Sequence, residues 1–135
     1  MAFPIALKTS SAICATTGII DLILGPNFLL KTCGAPPFPS GHPVVESQYR
    51  FFGGIWAGYG AMIWWASNDV KSRRAPLALL GGIMMLGGAG RLLAAWHHGF
   101  GEPLMAVFAG IEILGPVMLG LLGQSSAYEV ERKSA

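Results

Sequence analysis

Apolar positions dominate four stretches of the chain. Residues 9–20, 51–68, 75–90 and 113–128 contain no Asp, Glu, Lys or Arg, and several approach the roughly 20 apolar residues a helix needs to cross a bilayer. The pattern predicts helices over residues 5–24, 47–66, 76–97 and 103–123. Pro76 and Pro103 fall in first turns, where the missing N–H breaks no helical bond. Between the first two helices, residues 25–46 are rich in proline and glycine and read as a long loop. The expected fold is all-α: a four-transmembrane-helix bundle forming one domain over residues 1–124. A polar tail, residues 125–135, follows and is expected to be disordered.

Composition strengthens the membrane reading. Of 135 residues, 53% are hydrophobic and 12% charged, against about 25% charged in soluble domains. Nineteen glycines would weaken water-soluble helices, at about 1 kcal/mol each relative to alanine, but inside a bilayer they let helices approach closely. The first 25 residues could pass for a signal peptide, yet Asp21 interrupts the apolar run and no small-x-small cleavage site follows before Pro26. An uncleaved first span is expected instead. A net charge of +2 points to no nucleic-acid partner. Cys14 and Cys33 form neither a disulfide framework nor a metal site.

Basic residues orient the spans. Lys8, Lys71, Arg73, Arg74, Arg132 and Lys133 all fall on the side of the termini, while the opposite loops contribute Lys31. The positive-inside rule then predicts both termini in the cytoplasm and an outward-facing long loop. The compartment reads as an endomembrane, such as the endoplasmic reticulum, or the plasma membrane.

That topology places the awkward polar groups by depth. Asp21 ends the first helix, Glu46 and Arg50 begin the second, Arg91 lies about 9 Å below His97, and Glu112 lies about 14 Å past Pro103, at 1.5 Å per residue. All fall in the outer half. Leaving Arg91 or Glu112 against lipid would cost on the order of 3 kcal/mol or more, so both are expected to turn inward and find partners. Helical phase agrees. Glu46, Arg50, Gly53/Gly54, Ala57/Gly58 and Ala61 form one face of the second helix; Gly87 aligns with Arg91 and Gly81 with Gly88 on the third. Met105, Phe108, Glu112, Gly115 and Leu119 share a face on the fourth. Pro116 leaves the carbonyl of Glu112 without its usual donor.

The stretches "ESQYRFFGGIWAGYG", "GGAGRLLAAWHHGFGEP" and "IEILGP" together resemble the domain of unknown function 4345 family, small four-helix integral membrane proteins. The pattern is an acid and arginine before "FFGG", a "GR" late in the third helix, a "G-x-P" turn and an acid in the fourth helix. Glu46, Arg50, Phe51, Phe52, Gly53 and Gly54, then Gly90 and Arg91, then Gly101 and Pro103, then Glu112 occupy these positions. The resemblance implies the four-helix fold and no assigned reaction. The "HH" pair and the proline-rich loop lie outside the pattern. By architecture alone, the chain is also comparable to small membrane enzymes of natural-product pathways, such as terpene cyclases, without a local sequence match.

Each polar residue carries two readings. Glu46 and Arg50 are either an i,i+4 pair worth about 0.2–0.5 kcal/mol or part of a clamp in which Arg50 and Arg91 hold a carboxylate, phosphate or enolate. Glu112 and Asp21 are the candidate catalytic acids. Burial would raise their pKa values, whereas pairing of Glu112 with Arg91 would make it structural. Trp56 and Phe52 are candidate cavity walls, and His97 a candidate binding residue at the outer turn. Adjacent His97 and His98 point about 100° apart and read as interfacial polar groups, not as metal ligands. No cofactor motif occurs. Two functions fit. One is a cofactor-independent acid/base enzyme, an isomerase, cyclase or hydratase acting on a small lipophilic metabolite, with substrate held by Arg50, Arg91, Glu46, Trp56, Phe52 and His97. The alternative is a non-catalytic protein that binds a lipid, small molecule or partner, its charges serving helix packing. Partners are thus the bilayer and a lipophilic molecule or lipid, and a homo-oligomer is left open.

Overall fold

Proline and glycine set the helix boundaries. The computed structural model describes residues 2–37 and 43–134, with side-chain surroundings for residues 3–37 and 43–121; His42 and the centre of the proline-rich loop lie outside the described residues. Among the described residues there are five helices and no strand: α1 Ala2–Leu24, α2 Pro26–Cys33, α3 Pro43–Ser67, α4 Arg74–His98 and α5 Pro103–Ser134. α3 begins on Pro43, four residues earlier than the charge pattern predicts. Proline supplies a preset φ there as it does for α5.

α2 corrects the expectation of a loop over residues 25–46. Gly25, with φ 73°, ends α1 and precedes Pro26 at the start of α2. Gly34, with φ 78°, ends α2, and the Ala35 N–H donates to the Leu30 carbonyl at 2.9 Å. Seven residues free of proline and glycine between those signals suffice for two turns. So short a helix leaves too few apolar repeats to register as a periodic run.

The chain divides into two compact units, Lys8–Trp65 and the chain up to Leu7 with the chain from Ala66 onward. In the first unit α1 and α3 run antiparallel, because Ser11 meets Gly60, Thr17 meets Trp56 and Leu22 meets Arg50. Their backbones nearly touch. A Cβ built on Gly18 would lie 2.4 Å from the Ala57 nitrogen, on Gly53 2.7 Å from the Leu22 nitrogen, and on Gly60 2.5 Å from the Ala15 nitrogen. The buried Ser11 hydroxyl crosses this seam to donate to the Gly60 carbonyl at 2.6 Å. Gly54 and Gly58 face open space, so of the small-residue face predicted on α3 the contact uses Gly53 and Ala57, and it adds Gly60.

In the second unit α4 and α5 pack together, also antiparallel. Gly88 meets Ile113 and Glu112, and Gly81 meets Pro116. α5 runs through Pro116 and on to Ser134 as one helix.

Among the described residues three segments, Phe3–Leu24, Arg74–His98 and Pro103–Leu121, are long and apolar enough to cross a membrane, where the sequence pattern predicts four. α3 has 25 residues, but Glu46, Ser47, Gln48 and Arg50 occupy its start. Glycine, tryptophan and tyrosine fill much of the rest, and these transfer to hydrocarbon less readily than leucine or isoleucine. On α4, Leu79, Leu86 and Leu93 recur every seven residues and stand 66%, 74% and 62% exposed. Water would penalise such a stripe, and lipid would not. The chain is a membrane protein.

Candidate functional site

Arg50 sits where α1 ends. The carbonyls of the last turn of any helix lack intrahelical donors. Here the Gly25 N–H takes the Asp21 carbonyl at 3.0 Å, and Arg50 Nη1 donates to the carbonyls of Leu22 and Ile23, each at 2.7 Å. The other edge of the guanidinium, Nε and Nη2, donates to Glu46 Oε1 at 3.1 and 2.7 Å. Arg50 thus makes the expected i,i+4 pair and also caps the neighbouring helix, a favourable place for a cation. Gly25 is the residue that fits beside it: a Cβ there would lie 3.0 Å from Arg50 Nη2, at a positive φ.

One residue earlier on α3, the Tyr49 hydroxyl donates to Asp21 Oδ1 at 2.9 Å. Asp21, Glu46, Tyr49 and Arg50 therefore gather at one end of the α1/α3 pair. Trp56 stacks on Tyr59, with ring centroids 5.1 Å apart and planes within 5°, and donates its indole N–H to Thr17 at 2.9 Å. Phe52 is exposed and meets Phe51 edge to face at 5.6 Å. At the other end of the pair the Lys8 ammonium lies 5.3 Å from the Trp64 ring centre.

Arg91 and Glu112 meet across α4 and α5. Arg91 Nε donates to both carboxylate oxygens of Glu112, at 2.9 and 2.8 Å. Nη1 reaches Met105 Sδ at 3.8 Å, and the guanidinium carbon lies 5.7 Å from the Phe108 ring centre. Met105, Phe108 and Glu112 are the face that helical phase predicts for the fourth helix. Gly88 makes the approach feasible, since a Cβ there would lie 3.1 Å from the Glu112 Cβ and 2.7 Å from Ile113 Cγ1. The Glu112 side chain is 12% exposed and that of Arg91 41%. The acid is largely enclosed while the arginine side chain is partly open. His97 and His98 are exposed at the end of α4, with rings 6.1 Å apart. Among the described residues no group of three or more His, Cys, Asp or Glu side chains is placed to hold a metal ion.

Tyr49, Thr17 and Ser11 are partners that charge patterning does not reveal. Hydroxyls are common on apolar helices, and their sequence signal is only that Ser11 shares the 11, 15, 18, 22 stripe with Ala15 and Gly18.

No curated protein and no solved structure matches the chain at a significant level. The family model described as Domain of unknown function (DUF4345) matches residues 2–122, a span that contains all five residues of both charged clusters, Asp21, Glu46, Arg50, Arg91 and Glu112. With nine-tenths of its length accounted for in this way, the chain belongs to the domain of unknown function 4345 family.

Proposed function

We propose that this membrane protein binds a small lipophilic molecule through the polar group it presents to Arg91 and Glu112. The observation that carries the reading is the form of that ion pair. Within two apolar spans, Arg91 spends its Nε on Glu112 and keeps its Nη donors without an oxygen acceptor among the described residues, on a side chain that is partly exposed. An intramembrane charge that keeps donors in reserve is costly unless something accepts from them. Around it, Met105 and Phe108 offer apolar contact. α3 acts as a fourth span, with both termini cytoplasmic. The support is the basic connection of Lys71, Arg73 and Arg74.

The test compares wild-type protein with Arg91→Met and Glu112→Gln, each purified in a neutral detergent and extracted for mass spectrometry. A lipophilic compound should copurify with the wild type and be depleted from variants that still unfold cooperatively. Equal recovery from folded variants would refute the binding reading.

A second reading makes the protein an acid/base isomerase, cyclase or hydratase acting on the bound molecule. Its support is that Glu112 is an enclosed carboxylate held at both oxygens by one donor, and that Asp21 carries a tyrosine hydroxyl in hydrogen-bond contact, a geometry suited to proton exchange. Incubation of the copurifying compound in deuterated water measures it. Wild type should introduce deuterium and Glu112→Gln should not; exchange that persists in the variant removes Glu112 from the chemistry.

A further inference from the structure

Arg91 does not meet Glu112 in the parallel fork-to-fork arrangement that would occupy two guanidinium nitrogens. Both carboxylate oxygens converge on Nε. The terminal Nη edge is left with one contact, Met105 Sδ at 3.8 Å from Nη1, and a thioether sulfur is a weak acceptor. Among the described residues no oxygen accepts from Nη1 or Nη2, and the side chain as a whole is 41% exposed. Arg91 lies about 10 Å from the end of α4 and Glu112 about 14 Å from the start of α5, at 1.5 Å per residue. The open donors therefore sit at a depth where water does not supply acceptors.

Charge decides what the acceptor is. Arg91 and Glu112 cancel, so the site as a whole is neutral. A carboxylate or phosphate docked on the Nη edge would place a second negative charge close to that of Glu112, in surroundings of low dielectric where like charges repel strongly. A neutral oxygen accepts the same hydrogen bonds without that repulsion. Flanking it are the Phe108 ring, 5.7 Å from the guanidinium carbon, and the Met105 thioether. Both suit an apolar molecule and provide no counter-charge.

We infer that the polar group taken by Arg91 is the carbonyl oxygen of a neutral lipophilic compound of the ketone, ester or quinone class. The inference rests on the reading of Arg91 and Glu112 as a binding site and specifies its ligand.

Methyl palmitate, palmitate, hexadecyl phosphate and hexadecane separate the alternatives, since they share an alkyl chain and differ in the head. Each is titrated into full-length protein in neutral maltoside micelles at alkaline pH, and the apparent Kd is read from the shift of the tryptophan-monitored unfolding midpoint. Methyl palmitate should bind about tenfold tighter than hexadecane, as expected for a hydrogen bond from a charged donor, and tighter than either anion. The double variant Arg91→Met, Glu112→Gln removes both charges together and leaves neither unpaired; in it the ester should bind no better than the alkane. An anion that binds tighter than the ester, and loses that advantage in the double variant, overturns the neutral-carbonyl inference while leaving the binding site in place. A preference for the ester that survives the double variant overturns the assignment to Arg91. Four probes that bind alike overturn both the inference and the binding reading beneath it.

Discussion

Replacing Gly60 with alanine tests the seam between α1 and α3. The new methyl carbon would lie 2.5 Å from the Ala15 nitrogen, 2.8 Å from the Ser11 carbonyl oxygen and 3.0 Å from the Ala15 Cα. The first of these is about 0.9 Å short of ordinary contact, and all three atoms are backbone, so no side chain can rotate away. The helices must separate instead. Separation stretches the 2.6 Å bond from the buried Ser11 hydroxyl to the Gly60 carbonyl. Overpacking costs about 1–3 kcal/mol and a buried hydroxyl that loses its partner about 1–3 kcal/mol. The helix propensity of alanine returns up to about 1 kcal/mol. Gly60→Ala should therefore destabilise by about 1–5 kcal/mol. Gly58, two residues earlier, has nothing within 4 Å of its would-be Cβ, so Gly58→Ala should be neutral or stabilising by up to about 1 kcal/mol. Both variants are compared by reversible denaturation in mixed micelles, followed by tryptophan fluorescence. Equal stabilities for the two would mean that the helices do not meet through their backbones at Gly60, and the account of α1/α3 packing would fail.

The remaining predictions concern the charged groups. Arg50→Met removes the donors to the Leu22 and Ile23 carbonyls and to Glu46. It should cost about 1–2 kcal/mol by the same denaturation, a figure at the modest end for charged hydrogen bonds because the group is partly exposed. Hydrogen exchange should localise the loss to the end of α1, and unchanged protection there would contradict the cap. Glu112→Gln and Arg91→Met should each destabilise by about 1–3 kcal/mol, while the double variant lies closer to wild type than either single one, because only single replacement strands a charge. Strictly additive losses would argue against the pair. In the connection between α3 and α4, the Ser72 hydroxyl and, at 3.2 Å, the Ser72 N–H both donate to the Asp69 carboxylate, holding its pKa below the ordinary carboxylate range, with the hydroxyl as the larger cause. A depressed carboxylate stabilises the fold above its unfolded pKa of about 4 and loses that contribution as pH falls through the lower folded value. Amide protection at Ser72 and Arg73 should therefore be flat near neutrality and decline only in acid, and Ser72→Ala should move the decline upward in pH. A decline at the same pH in both proteins would remove Ser72 as the cause.

How much of this was legible in the sequence depends on whether the deciding forces are local. Charge-free runs and positioned prolines mark helices because burial and backbone geometry act residue by residue, and α4 and the start of α5 lie close to where those signals place them, whereas α5 runs on to Ser134, past residue 123 where the pattern ends it. The 3.6-residue period likewise identifies Met105, Phe108 and Glu112 as one face, and these are the residues that Arg91 meets. The cost of an unpaired charge in lipid is equally a property of the residue, so the need of Arg91 and Glu112 for partners follows from their positions alone. Tertiary structure decided which partners answer such needs. Glu46 and Arg50 as a pair are readable four residues apart, but the carbonyls of Leu22 and Ile23 carry no mark in the sequence, since every residue has a carbonyl and only the end of a neighbouring helix leaves it unsatisfied. Choosing Gly53, Ala57 and Gly60 over Gly54 and Gly58 likewise depends on how far α3 is turned about its axis, which its own residues leave free and contact with α1 settles. The open edge of Arg91 arises in the same way: composition demands an acid nearby, and only the placement of Glu112 against Nε leaves the other nitrogens for something else.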